Sequence, residues 1–128
     1  NMIKFWKEKN LFEIFIDAYN NGTILSGVSA GAICWFNYIL TNSLNNRLQS
    51  SKGLGLINYS CTPHASSEPE RLIIFEQKVK HTLMPPGFAI DDGVAVLFIN
   101  GKFSEVFSSR PNHSAYFITE TGIKNLEE

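Results

Sequence analysis

The sequence predicts an α/β fold, a parallel sheet flanked by helices, and three observations point to it. Helix-like and strand-like apolar patterns alternate over the first two thirds of the chain. The end is β-rich and carries a hairpin signal, Asn100-Gly101, between two short apolar runs. At 128 residues and 44% hydrophobic, the chain has material for one domain, residues 1–128, with a sizeable core.

Each element has its own sequence reason. Leu11, Phe12, Phe15, Ile16 and Tyr19 recur at helical spacing, with Glu13 and Asp17 on other sides, so residues 2–20 read as a helix. Asn21-Gly22 stops it, because both residues tolerate the left-handed conformation of a helix end. Residues 23–28 (TILSGV) read as a short buried strand, and 30–40 (AGAICWFNYIL) as a buried helix. Residues 41–52 are polar and Asn/Ser-rich, which predicts a surface loop, and 54–61 predict a strand. Pro69 at a first helical position, with Glu68 and Glu70 for the first turn, starts a helix that runs to about Thr82. Residues 88–91, 94–99, 103–107 and 115–119 read as strands, followed by a polar tail.

Charge and composition exclude several functions. Eleven Lys+Arg against twelve Asp+Glu give no basic surplus for a phosphate backbone, so nucleic acid is not expected as a partner. No apolar run approaches the roughly 20 residues of a membrane span. Cys34 and Cys61 fit neither a disulfide scaffold nor a zinc site, so no metal or cofactor is expected and the setting is expected to be reduced and cytoplasmic. The opening residues read as helix and not as a signal segment.

The chemistry-bearing motif is Gly27-Val28-Ser29-Ala30-Gly31, placed where a predicted strand meets a predicted helix. A sharp turn there projects the serine hydroxyl, and flanking glycines avoid collisions with nearby backbone. Ser29 is therefore a candidate nucleophile, and it needs a base. His64 follows a predicted strand end, His81 lies late in a helix, and His113 lies in a loop. His64 is the preferred base because a parallel sheet brings its strand end to the edge where Ser29 emerges. The orienting acid is sought in Asp91 and Asp92, with Glu68 and Glu70 as rivals. Ser29, His64 and Asp92 use three successive strand ends. The hydrolase order Ser29, Asp92, His113 is the alternative, and implies an esterase or lipase. Cys34 and Cys61 read as small core hydrophobes. Arg71 and Arg110 are candidates for binding a substrate carboxylate.

Residues 27–35 (GVSAGAICW), 61–64 (CTPH) with 67–71 (SEPER), 89–93 (AIDDG) and 108–111 (SSRP) resemble, in order, the motifs of the peptidase E (aspartyl dipeptidase) family. The resemblance implies a class I glutamine-amidotransferase-like fold with flavodoxin-like layering. It also implies a serine peptidase acting on small peptides, best known for dipeptides with an N-terminal Asp. On that basis Ser29 is the nucleophile, His64 the base and Asp92 the acid, and the Ala30 N–H forms half of the oxyanion hole. Family members carry several further strands ahead of this region, with a Gly-Gly-Asn-Thr turn that supplies the other oxyanion donor. The chain is thus expected to be the C-terminal portion of such a domain. A complementing N-terminal segment or a homodimer is its expected partner, and an inactive fragment acting by association is the remaining alternative.

Overall fold

The structure is a computed structural model that describes residues 2–127. Among the described residues twelve elements follow one another: α1 (Met2–Glu8), α2 (Leu11–Asn20), α3 (Ala30–Ile33), β1 (Phe36–Thr41), β2 (Gln49–Lys52), β3 (Ile57–Thr62), α4 (Pro69–Lys80), β4 (Gly87–Ile90), β5 (Val94–Ile99), β6 (Lys102–Ser108), β7 (Ala115–Thr119) and β8 (Gly122–Asn125). A six-stranded sheet has the order β2-β1-β3-β4-β7-β8, and β5 and β6 form a separate two-stranded hairpin.

The sheet is mixed. Its central pairs β1/β3 and β3/β4 are parallel, whereas β2, β7 and β8 join antiparallel at the flanks. Alternation along the strands sends successive residues to opposite faces. Thus Ile39, Cys61 and Phe88 enter one core cluster with Ile3, Ile33 and Phe36, while Leu40 and Ala89 enter the other with Phe75, Val79 and Met84. Helix α4 covers the second face through Phe75 and Val79, both fully buried. From the hairpin, Phe98 meets the Phe88 ring edge-on at 5.0 Å and Phe103 stacks on it at 5.9 Å, closing the first face.

The expected hairpin turn, the strand 115–119 and the helix beginning at Pro69 are all present. Asn100 (φ 51°) and Gly101 (φ 75°) both take positive φ, as a two-residue type I′ turn requires. Four expectations fail. The helix over 2–20 is broken at Asn10, whose φ of 54° ends one helical run and lets the chain re-enter another. Residues 23–28 form no strand, because no strand among the described residues pairs with them. The helix over 30–40 ends at Ile33; Phe36–Thr41, rich in aromatic and branched side chains, gains more as a strand flanked on both edges. The polar loop and tail each contain a strand, β2 and β8, which pair at the sheet's flanks and so tolerate polar faces.

Candidate active site

Because β3 and β4 run parallel, their carboxyl ends lie at one edge of the sheet. Past the end of β3 comes Pro63-His64, and past β4 comes Asp91-Asp92. Ser29 reaches the same place from the irregular segment ahead of α3, not from a strand end, which corrects the expectation of three strand ends.

Ser29 sits at φ 52°, ψ −118°, and His64 at φ 57°. Both are non-glycine residues held in a costly backbone conformation, a feature concentrated at functional sites. The elbow around Ser29 is tight. A Cβ on Gly27 would lie 2.0 Å from the Gly31 carbonyl oxygen, so only glycine fits. A Cβ on Gly31 would meet nothing within 4 Å, so Gly31 is not there to avoid a clash.

The three side chains form an unbroken relay. Ser29 Oγ lies 2.8 Å from His64 Nε2, and His64 Nδ1 lies 2.7 Å from Asp92 Oδ1. Asp92 Oδ2 accepts from Ser66 Oγ at 2.9 Å and from the Ser67 backbone N–H at 3.2 Å. Hydrogen bonding from Ser67 first, then from His64 and Ser66, holds the Asp92 carboxyl well below the usual carboxylate range. An ionised Asp92 can only accept, so in neutral His64 the proton sits on Nδ1 and Nε2 is left to accept from the Ser29 hydroxyl. This is the arrangement that activates a hydroxyl as nucleophile. Among the backbone donors of the elbow, Gly31 N–H is spent on Val28 O at 2.9 Å, and Ala32 and Ile33 N–H on Ser29 O. The Ala30 N–H donates to no backbone group among the described residues.

The rival acids have other work. Asp91 is buried, and its Oδ2 accepts from Ser114 N–H at 3.0 Å and the Tyr116 hydroxyl at 3.4 Å, tying β7 to the end of β4. Glu68 pairs with Arg71 at 2.6 Å, and Glu70 is exposed in the first turn of α4. His81 caps the end of α4. His113 is bonded through Nδ1 to Pro111 O at 3.1 Å, and Asp92 is paired with His64 and not with it.

Arg71 is 5% exposed, and its Nη1 donates to Leu40 O at 3.3 Å, so its guanidinium is committed inside the fold and does not face substrate. The Arg110 stem instead lies over Gly93, within 3.0–3.1 Å of where a Cβ would be. Beside it an open depression is lined by Val28 and Gly93, next in sequence to Ser29 and Asp92, and by Phe107 and Ser108. Burial pushes the Cys34 thiol up to about 12 and raises Cys61 as well, so both are inert core groups. Among the described residues no His/Cys/Asp/Glu group is arranged to hold a metal ion, and no helix is long and apolar enough to cross a membrane.

The Ser66 and Ser67 contacts to Asp92 were not legible beforehand. Two serines just after a histidine carry no periodicity, and only the approach of β4 gives them a partner.

A sequence model of peptidase family S51 matches residues 1–106. The chain belongs to peptidase family S51. It is also 39% identical over 116 residues to a Bacillus subtilis (strain 168) protein described as an uncharacterized peptidase, YgaJ. That match covers 91% of this chain and 50% of the relative, so the chain spans about half the length of the curated relative it matches. The resemblance to the peptidase E family drawn from four short motifs is thereby shown across most of the chain.

Proposed function

We propose that this S51 chain carries the catalytic residues of a serine-type peptidase that hydrolyses small peptides, in particular dipeptides with an N-terminal Asp. One observation carries the reading: the continuous relay Ser29–His64–Asp92 at a strained elbow. Ser29 Oγ attacks the scissile carbonyl carbon while its proton passes to His64 Nε2. The resulting oxyanion takes a hydrogen bond from the Ala30 N–H. The C–N bond then breaks, His64 returns the proton to the leaving amine, and water repeats the sequence on the acyl-enzyme. Asp92 holds the imidazole and balances its transient positive charge. Arg110 beside the depression is the cation that suits an acidic side chain, since Arg71 is consumed by Glu68 and Leu40. The parallel β1-β3-β4 centre supports a glutamine-amidotransferase-like fold for the whole domain.

A fluorophosphonate probe tests the proposal, with mass spectrometry to locate the label. Labelling at Ser29 is expected, lost in Ser29→Ala and cut about 100-fold or more in His64→Ala. Label on a different serine, or undiminished label in His64→Ala, overturns it. In a form that hydrolyses Asp-containing dipeptides, Ser29→Ala lowers turnover by about 1,000-fold or more.

A further inference from the structure

The two adjacent aspartates past β4 are held by opposite sides of the fold. Asp91 and Ser114 are both buried, and two hydrogen bonds clamp them together. The Asp91 N–H donates to Ser114 O at 3.1 Å, and the Ser114 N–H donates to Asp91 Oδ2 at 3.0 Å. Ser114 is anchored in turn, since its Oγ donates to Asn125 Oδ1 of β8 at 2.6 Å. The Asp91 carbonyl accepts from the Val94 N–H at 3.3 Å, which closes the turn that carries Asp92. Thus the N–H, the C=O and the carboxylate of Asp91 are all bonded. Successive residues of an extended chain point to opposite sides. With Asp91 pinned toward Ser114, Asp92 faces His64, and its Oδ1 lies 2.7 Å from Nδ1. The clamp draws on the reach of the Asp91 side chain and its acceptor oxygen, both of which a neutral amide of the same shape also has.

We propose that Asp91 is a positioning residue for the Ser29–His64–Asp92 relay: its clamp on Ser114 fixes the direction in which the Asp92 carboxylate meets His64. The catalytic meaning of this role rests on the peptidase reading, whereas the geometry it sets belongs to the folded chain. When the clamp opens, the turn rotates at the end of β4 and Asp92 leaves Nδ1. The imidazole proton is then free to move to Nε2, which no longer accepts from the Ser29 hydroxyl.

Long-range proton–nitrogen NMR of the histidine imidazoles in the 128-residue chain tests this, with probe labelling of Ser29 as a second measurement. In the parent, neutral His64 is protonated on Nδ1. In Asp91→Ala the ratio of the Nδ1–H to the Nε2–H form falls about tenfold, the equivalent of one lost hydrogen bond. Labelling at Ser29 slows by about tenfold or more. Asp91→Asn keeps the shape and an acceptor for the Ser114 N–H, and it restores both readouts. Asp91→Glu keeps the charge, but its extra methylene does not fit the clamp, so it behaves like Asp91→Ala and carries the test if that variant fails to fold. Ile118→Val trims the fully buried core under β7, lowers the melting temperature and leaves the His64 tautomer unmoved. A parent imidazole protonated on Nε2, an unchanged ratio in both Asp91→Ala and Asp91→Glu, or an equal shift in Ile118→Val overturns the proposal. Rescue by Glu and not by Asn also overturns it, in favour of an effect of charge. A parent chain that takes no label at Ser29 counts against the peptidase reading alone, because the tautomer ratio still decides the role of Asp91.

Discussion

Ser66 and Asp92 grip each other reciprocally: Ser66 Oγ donates to Asp92 Oδ2 at 2.9 Å, and the Asp92 backbone N–H donates to Ser66 Oγ at 3.0 Å. One serine hydroxyl thus fixes both the main chain and the carboxylate of the residue that orients His64. Ser66→Ala removes both bonds at a cost of about 1–2 kcal/mol. The Asp92 carboxyl then titrates closer to the ordinary range, which carboxyl-detected NMR measures directly.

The same carboxylate sets a pH dependence of stability. Its folded-state pKa lies below its unfolded value, so ionised Asp92 stabilises the fold above the ordinary aspartate range near pH 4, and that contribution is lost as pH falls through the folded value. Urea unfolding at pH 6 is expected to show Asp92→Asn as destabilised. The gap between variant and parent narrows on acidification below pH 4 and does not widen.

The two glycines of the elbow differ in kind. Gly27→Ala forces a Cβ into the Gly31 carbonyl, and overpacking of this sort costs roughly 1–3 kcal/mol. It also displaces Ser29, so probe labelling falls with stability. Gly31→Ala meets open space within α3, where alanine is the better helix former, and is expected to leave both the melting temperature and the labelling unchanged or slightly improved. Thermal denaturation and labelling of the pair separate the two roles.

The two arginines separate in the same way. Arg71→Ala strips Glu68 and the Leu40 carbonyl of their partner and lowers stability by about 2 kcal/mol, with no selective effect on acidic substrates. Arg110→Ala leaves stability nearly unchanged and lowers kcat/KM for an Asp-containing dipeptide about tenfold relative to an Ala-containing one. Steady-state kinetics on the two dipeptides, in an active form, distinguishes these outcomes.

Local signals were enough for the parts of this protein whose causes are local. Asn100-Gly101 dictates a type I′ turn because both residues accept positive φ, and Pro69 marks a helix start because its fixed φ suits the first turn. Gly27-x-Ser29 announces the elbow, and His64 and Asp92 are placed by the strand ends before them. Tertiary structure decided what depends on neighbours distant in sequence. The choice between Asp91 and Asp92 is one of side-chain direction: adjacent residues at a strand end face opposite ways, so one meets Ser114 and Tyr116 and the other meets His64. Arg71 is buried because α4 folds against Leu40, and Ser66 holds Asp92 because β3 and β4 are parallel neighbours. Residues 36–41 became strand instead of helix, and 23–28 stayed unpaired, because a strand is stable only when another backbone lies beside it. Composition encodes the preference for that pairing, and only the assembled fold supplies or withholds the partner.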